Sequence, residues 1–360
     1  MGRDSSLSEA IGVADADWDS LALLSRNIFC SREWLETWWR HQQADLELVP
    51  LKIVGNSGEL MAVWPLVRAR RRPQLIQPLG QWPVPALGVV CAEPQLDTLL
   101  PLLRAQLSEI RSWDLFRVGA LPVGAGPDGV GRRGRSVALD REPNLVLDFD
   151  GASWDQHLSN RSRSFRDQIK RRERRLQKTY RVNYRQTVEP DRLDQDFSEL
   201  MRLHELRWGS GSVGLTRATE QFHRQLLRTA LDRQWLSLWF LELDGRPVAA
   251  NLNFRFAGVE VYYQAGRDPA YDQDNVGLAL LVHTIAAAAD AGMSEFRFLR
   301  GDQEYKRRLA NRSAEVELRI EANSAIGTAA LKAMVLRRTL LRRWAGQTPD
   351  QDQRTARTSS

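Results

Sequence analysis

Hydrophobic spacing along the chain changes period several times, and each period predicts a different element. From Ser31, a serine cap and an acidic first turn open a helix in which Trp34, Leu35, Trp38 and Trp39 recur at helical spacing. Residues 46–54 then alternate as a strand, Gly55-Asn56-Ser57-Gly58 supplies turn chemistry, and residues 59–67 form a second strand, which makes a hairpin. Residues 74–90, rich in proline and glycine, predict an irregular, site-forming loop. A helix over 96–110 and a strand over 113–118 follow. A glycine-rich break spans 121–135, and residues 1–20 read as a flexible leader.

Beyond the break the pattern predicts a strand over 144–149, a long basic helix over 154–179, a strand over 182–188 and a helix over 191–208. The glycine-rich stretch 209–214 separates that helix from another over 219–233. Three consecutive strands, 235–243, 247–256 and 259–265, are turned by Asp244-Gly245-Arg246 and by Ala257-Gly258. A loop over 266–276 leads into an alanine-rich helix over 277–291, which Gly292 ends in the manner of a C′ glycine. Strands over 294–299 and 314–321 and a basic amphipathic helix over 325–344 complete the pattern. The hairpin at 48–66 echoes the one at 238–252, each an apolar strand, a glycine turn and a strand of small and apolar residues, which is a faint sign of duplication. Such an alternation of strands and helices is an α/β chain with mixed sheets.

Composition narrows this picture. A chain of 360 residues with 42% hydrophobic and 27% charged residues has the makings of two globular domains. The formal net charge is +6, and of 51 basic residues only Lys52, Lys170, Lys178, Lys306 and Lys332 are lysines. Arginine forks suit phosphate and carboxylate, so CoA phosphates, acidic glycans, nucleic acid or anionic lipid fit the balance, although the codon usage of a GC-rich genome explains much of the arginine excess. Cys30 and Cys91 give neither a disulfide framework nor zinc spacing, which fits a reduced cytoplasm. His41, His157, His223 and His283 have no metal spacing. The N-terminus lacks the basic and apolar regions of a signal peptide, and the longest apolar stretch, 278–289, is too short to span a bilayer.

Two segments carry candidate chemistry. The strand ending at Gln264 and Ala265, a polar loop, and Asn275-Val276-Gly277-Leu278-Ala279 opening a helix form a potential anion site, because the first helical amides lack partners and Gly277 leaves room for a phosphate. Asp272 and Asp274 lie near that helix start and would cap it or repel a pyrophosphate. Arg300-Gly301-Asp302-Gln303-Glu304-Tyr305-Lys306 follows a strand, where α/β sites gather. As a helix it would put Asp302, Tyr305 and Lys306 on one face; as a solvated turn it would hold only a salt bridge. Upstream, His204, Arg207 and Trp208 share a helix face, either lining an acceptor pocket or closing the core edge.

These residues, taken together, resemble the CelD-type acetyltransferase family of cellulose and exopolysaccharide biosynthesis, a GNAT family related to the FemAB-like double-GNAT proteins. The resemblance rests on Tyr263, Gly266-Arg267-Asp268-Pro269, Asn275-Val276-Gly277-Leu278 (with Val276 where family members often carry proline), Leu299-Arg300-Gly301-Asp302 with Tyr305-Lys306, and Leu203-His204-Glu205-Leu206-Arg207-Trp208. The basic helix from Asn160 to Leu176, Ser31-Arg32-Glu33-Trp34 with Trp38, and Ala62-Val63-Trp64-Pro65-Leu66 extend it over most of residues 25–322. It implies tandem GNAT-like folds: a leader over 1–20, a degenerate GNAT-like domain over 21–140, a GNAT acyltransferase domain over 141–322, and a basic amphipathic helix with a polar tail over 323–360.

The implied activity is direct transfer of an acyl group, from acetyl-CoA or another acyl-CoA, to an amine or hydroxyl in polysaccharide or cell-envelope metabolism. The strand at 259–265 would splay from its neighbour. Gln264, Ala265, Asn275, Val276, Gly277, Leu278, Ala279 and Lys306 would hold the donor, and His204, Arg207 and Trp208 the acceptor. Asp302 or Glu304 would be the base, and Tyr263 or Tyr305 would protonate the departing thiolate. The acceptor site would lie between the halves. The basic stretches at 161–178 and 325–344 suggest an anionic surface: for the first a lip for CoA or an acidic acceptor, for the second an anionic membrane or a partner protein, as for a cytoplasmic protein peripheral to the inner membrane. No recognised nucleic-acid module accompanies them. An aminoacyl-tRNA-dependent transferase of the FemAB kind and a non-catalytic module in a polysaccharide-synthesis assembly remain the alternatives.

Overall fold

A computed structural model describes residues 6–81, 87–110, 112–124, 135–209 and 214–345. Where the sequence predicts a flexible leader over 1–20, residues 7–20 are built into the fold. Helices α1 (Leu7–Ile11) and α2 (Asp15–Ser25) form there, with Ser6 capping the first through the Glu9 amide at 3.2 Å. The acidic residues of this segment face solvent while Leu7, Ile11, Trp18 and Leu21 go into the core, and the Trp18 indole donates to the Cys30 carbonyl at 3.0 Å. Scattered acids disguised a sparse apolar stripe.

Helix α3 (Arg32–Gln42) follows as expected. The predicted hairpin is cut at Pro50 and Pro65 into β1 (Leu46–Leu48), β2 (Leu51–Val54), β3 (Leu60–Trp64) and β4 (Leu66–Ala69). Proline cannot donate to a ladder, and at these two points the hairpin passes from one sheet to another: β2 pairs with β3, and β1 with β4 in a different sheet. The stretch expected to be irregular contains β5 (Leu75–Pro78) and β6 (Val90–Cys91); its residues 82–86 lie outside the described residues. Helix α4 (Leu96–Glu109) and strand β7 (Leu115–Pro122) come next. Of the expected break, residues 125–134 lie outside the described residues, and β8 (Arg135–Asp148) begins well before the predicted strand because it spans two partner strands.

The long basic helix is two helices, α5 (Trp154–Ser159) and α6 (Arg163–Thr179), because the Ser162 hydroxyl accepts the Phe165 amide and starts a new one. Then come β9 (Val182–Gln186), α7 (Pro190–Trp208), α8 (Glu220–Asp232), β10 (Leu236–Leu243), β11 (Arg246–Phe256) and β12 (Val259–Arg267). Both hairpin turns pair two positive-φ residues, Asp244 with Gly245 and Ala257 with Gly258, the geometry that matches strand twist. Helix α9 (Val276–Asp290), β13 (Glu295–Arg300), α10 (Glu304–Leu309), β14 (Arg312–Ala322) and α11 (Ala325–Ala345) complete the fold.

One eleven-stranded sheet runs through both halves in the order β1-β4-β5-β7-β14-β8-β13-β12-β11-β10-β9, beside a three-stranded sheet β2-β3-β6. Strand β14 joins the halves by lying antiparallel between β7 and β8. In the C-terminal half, one sheet face packs α7 and α8 together with α1–α3, and the other packs α5, α6 and α9. Trp34 of α3 sits among Phe29, Phe222, Phe254 and Tyr263 with ring centroids 4.8–5.7 Å away, so the N-terminal helices are built into the C-terminal core. Helix α11 buries Leu331 against Leu115, Ile320 and Ala322 and leaves Leu336, Leu340 and Leu341 exposed. No helix among the described residues is long and apolar enough to cross a membrane.

Candidate active site

The central feature is a parting of strands. Strand β12 pairs with β13 in parallel only at Val259, Glu260 and Val261, opposite Glu295, Phe296 and Arg297. Beyond those residues β12 stays with β11 to Arg267, with a bulge after Leu252, while β13 stays with β8. Leu299 takes φ 57° as β13 turns away. The parting opens a cavity of about 640 Å³ lined from the C-terminal half by Tyr262, Tyr263, Gln264 and Ala265, and from the N-terminal half by Phe29, Leu87, Val89 and Leu96.

Helix α7 forms one wall. His204 donates through Nδ1 to the Ala265 carbonyl at 2.9 Å, and the Trp208 indole N–H reaches the same oxygen at 3.3 Å. Burial first, then the neighbouring Arg207, lowers the His204 pKa. The Arg207 guanidinium sits 4.4 Å from the centre of the Trp208 ring. Helix and strand meet this closely because residue 266 is glycine: a Cβ there would stand 2.4 Å from the His204 amide nitrogen and 2.5 Å from the Leu203 carbonyl carbon. His204, Arg207 and Trp208 all line the cavity. Of the adjacent glycine-rich stretch, residues 210–213 lie outside the described residues.

Tyr263 lines the cavity too, but its proton is committed. His223, which sequence spacing passed over, is buried on α8; its Nδ1 lies 2.7 Å from the Thr219 carbonyl and its Nε2 2.8 Å from the Tyr263 hydroxyl. Burial pushes the His223 pKa down to about 4, so the ring is neutral at pH 7. A neutral ring that donates from Nδ1 must accept at Nε2, so Tyr263 donates to His223 and faces the cavity with a lone pair. Burial also raises the Tyr263 pKa well above that of an ordinary phenol. Tyr263 therefore does not fit the expected role of proton donor.

The Arg300–Lys306 element divides in two. Helix α10 begins only at Glu304, so Asp302 lies outside it and does not share a helix face with Tyr305 and Lys306. Asp302 is exposed and ion-paired with Arg307, which lowers its pKa, and the Glu304 side chain is 86% exposed beside Arg308. Neither carboxylate lines the cavity. Tyr305 and Lys306 do. The Tyr305 pKa is raised by burial and by Tyr262. Lys306 is 6% exposed; it donates to the carbonyls of Phe298 at 3.1 Å and Arg300 at 2.9 Å and pins β13 where it parts from β12. Burial first, then Arg207, lowers its pKa to about 8 against an opposing pull from Glu142. Glu142 of β8, which the sequence offered no motif to find, lines the cavity with a half-exposed carboxylate 3.9 Å from Arg300.

Past the end of β12, a 3₁₀ turn (Pro269–Asp274) leads to α9 through Asn275 in the left-handed region. Three of the five nominated amides are already bonded: Asn275 to Asp272, and Leu278 and Ala279 to the Asn275 carbonyl, at 3.0–3.1 Å. Of the five, the amides of Val276 and Gly277 are the ones with no such bond among the described residues. A Cβ at Gly277 would meet only the flexible Arg267 side chain, at 3.4 Å. The nearby carboxylates are neutralised: Asp272 by Arg267 at 2.6 Å, and Asp274 by Arg175 of α6 at 3.4 Å and the Tyr180 hydroxyl at 3.1 Å. These residues stand outside the cavity, beyond the end of the strand that lines it.

Residues 163–307, from the start of α6 into α10, match the family described as acetyltransferase (GNAT) domain. That stretch holds the strand split, α9, α7 and Lys306. Residues 163–307 are a GNAT-type acyltransferase domain. Acyltransferases of this family generally use acyl-CoA. Among solved structures the whole chain is similar to FemX, with 11% identity, a TM-score of 0.57, and coverage of 85% of this chain and 96% of that one. It is also similar to the C-terminal domain of a putative lysylphosphatidylglycerol synthetase from Agrobacterium fabrum, with 10% identity, a TM-score of 0.51 and coverage of 90% and 97%. No curated protein matches the sequence. At these identities the likeness speaks for the fold alone, and the mixed α/β, tandem GNAT-like fold with a C-terminal helix expected from the sequence is the one observed.

Proposed function

We propose that the acyltransferase domain takes an acyl group from acyl-CoA and transfers it directly to an amine or hydroxyl of an acceptor seated in the cavity between the halves. The observation that carries this reading is the parting of β12 from β13 beyond Val261. It frees backbone groups of Tyr262–Gln264 for a pantetheine arm and delivers the thioester to the cavity, while the α9 start receives the pyrophosphate outside. The acceptor nucleophile attacks the thioester carbonyl, and its proton passes to Glu142, the cavity carboxylate least engaged by arginine. The tetrahedral intermediate collapses with loss of CoA thiolate, and the proton held by Glu142 restores the thiol. Tyr305, kept protonated by its burial, donates a hydrogen bond to the sulfur without giving up its proton. His204, Arg207 and Trp208 hold the acceptor.

Titrating the protein with acetyl-CoA and with a set of longer acyl-CoAs, read as thermal stabilisation, tests the donor. Thiol release on adding acceptor amines tests transfer. A rise in Tm with acyl-CoA supports the reading, and its absence for every thioester overturns it. A second donor, aminoacyl-tRNA, is favoured by one observation, the exposed cations Arg163, Lys170, Arg171, Arg174, Arg175 and Lys178 along α6. Salt-dependent tRNA binding without acyl-CoA binding would select it.

A further inference from the structure

The two walls of the cavity differ in charge, and the difference has a chemical meaning. Four cationic side chains, Arg207, Arg297, Arg300 and Lys306, and two carboxylates, Glu93 and Glu142, line it. Arg297 is saturated, bonded to Glu93 at 2.8 Å and Glu295 at 2.7 Å. Glu93 also lies 3.6 Å from Arg26. Arg300 has Glu142 at 3.9 Å. Arg207 and Lys306 are different: among the described residues neither has a carboxylate within 4.0 Å, although Lys306 is buried.

Both are held in place by groups that leave donors to spare. The Arg207 guanidinium sits 4.4 Å from the centre of the Trp208 ring, and the Trp208 indole is tied to the Ala265 carbonyl. A guanidinium carries five N–H donors in a planar fork, and contact with an aromatic ring uses none of them as a hydrogen bond. Lys306 uses two of its three protons on the Phe298 and Arg300 carbonyls. The two cations repel, since Arg207 is a cause of the lowered Lys306 pKa. Holding two like charges at one end of a partly apolar cavity costs free energy unless an anion joins them.

We propose that the acceptor carries an anionic group, carboxylate or phosphate, which Arg207 grips along the edge of its fork and Lys306 through its free proton. This rests on the cavity being the acceptor site. The anionic group, held beside the strand split that Lys306 pins, then fixes how the acceptor enters the cavity. The CoA phosphates do not fill this role in the proposal, because the α9 start that would take them lies outside the cavity.

The test measures binding to the full chain by ligand-detected NMR, with and without saturating acetyl-CoA. The probes are matched pairs: β-alanine and β-alaninamide, 4-aminobenzoate and 4-aminobenzamide, glucosamine 6-phosphate and glucosamine. The charged member of at least one pair should bind about tenfold or more tighter than its neutral partner. Arg207→Gln should reduce that preference to less than about threefold, and Arg207→Lys should restore part of it for phosphate more than for carboxylate. Which pair responds separates phosphate from carboxylate. The proposal is overturned if no charged member is preferred, if Arg207→Gln keeps the preference, or if acetyl-CoA displaces the charged probe, which would assign the cations to the donor. Charge preference without any acetyl-CoA binding would leave this site standing and overturn the donor reading instead.

Discussion

The two walls of the cavity were made by different rules. The N-terminal wall offers Phe29, Leu87, Val89 and Leu96, apolar side chains without directed hydrogen bonds, and its one acid, Glu93, is held by arginine. The C-terminal wall offers His204, Arg207 and Lys306, each fixed by a named partner, and the phenol of Tyr305 beside them. One wall sets shape and the other sets charge and orientation. An acceptor that fits both is read twice, once by volume and once by its polar ends. Breaking the walls separately should therefore give different kinetic signatures.

The largest effect belongs to Gly266→Val. A side chain there collides with the Leu203–His204 backbone of α7, and backbone cannot move aside as a flexible side chain can. Helix α7 must shift, carrying His204, Arg207 and Trp208 off the cavity together. We expect turnover to fall about a hundredfold or more, with loss of stability on the order of 1–3 kcal/mol. Urea denaturation and thiol-release kinetics measure both; a variant with wild-type turnover would show that α7 does not orient the acceptor. The opposite wall answers to Leu96→Trp. Leu96 is partly exposed where it lines the cavity, so a larger ring takes space without displacing a directed bond. The acceptor KM should rise roughly tenfold, with acyl-CoA affinity unchanged. A parallel loss of acyl-CoA affinity would mean that the two ligands are not separated as argued.

The contrast also explains what was legible in the sequence. Strands β10, β11 and β12 and helices α7 and α9 announced themselves through their periodicities and glycine turns, because local pattern and tertiary burial agree there. His204, Arg207 and Trp208 emerged because one helix carries all three at helical spacing. His223 and Glu142 did not. Each is alone on its element, and each becomes part of the site only when α8 packs under Tyr263 and β8 aligns beside β13. The prolines at 50 and 65 were visible, but that a hairpin would use them to change sheets is a tertiary fact. Helices α1 and α2 were hidden because few apolar residues hold them, and those residues bury against a core assembled from the far end of the chain.

A smaller effect should appear on acidification. His223 is fully buried with a folded pKa of about 4, held down by burial and then by the charge of nearby His204, with the Thr219 carbonyl and Tyr263 hydroxyl as its bonds. Below pH 6.5 the unfolded chain takes up a proton at this histidine that the folded chain refuses until about pH 4. Stability is therefore full above pH 6.5 and falls with pH between those values, by at most about 1.4 kcal/mol per unit from this group. His223→Gln should flatten that part of the curve. An unchanged slope in the variant would place the acid sensitivity elsewhere.

The smallest effect sharpens the comparison most. Asp302 and Glu304 occupy the motif that made this half familiar, yet Asp302 is spent on Arg307 at the surface and Glu304 projects into solvent beside Arg308. A base must reach the proton it takes, directly or through one water. Tyr305 and Lys306 line the cavity from the same short segment, whereas Asp302 precedes α10 and Glu304 opens it on the solvent side. Asp302→Asn and Glu304→Gln, alone or together, should therefore keep turnover within about threefold of wild type, since exposed ion pairs such as theirs hold little energy. A large loss of kcat in either variant, with stability and acyl-CoA binding intact, would return the base to this motif and reduce Glu142 to a partner of Arg300. The order in which the residues of the motif face the cavity is thus what separates its role in anchoring the split from a role in the chemistry.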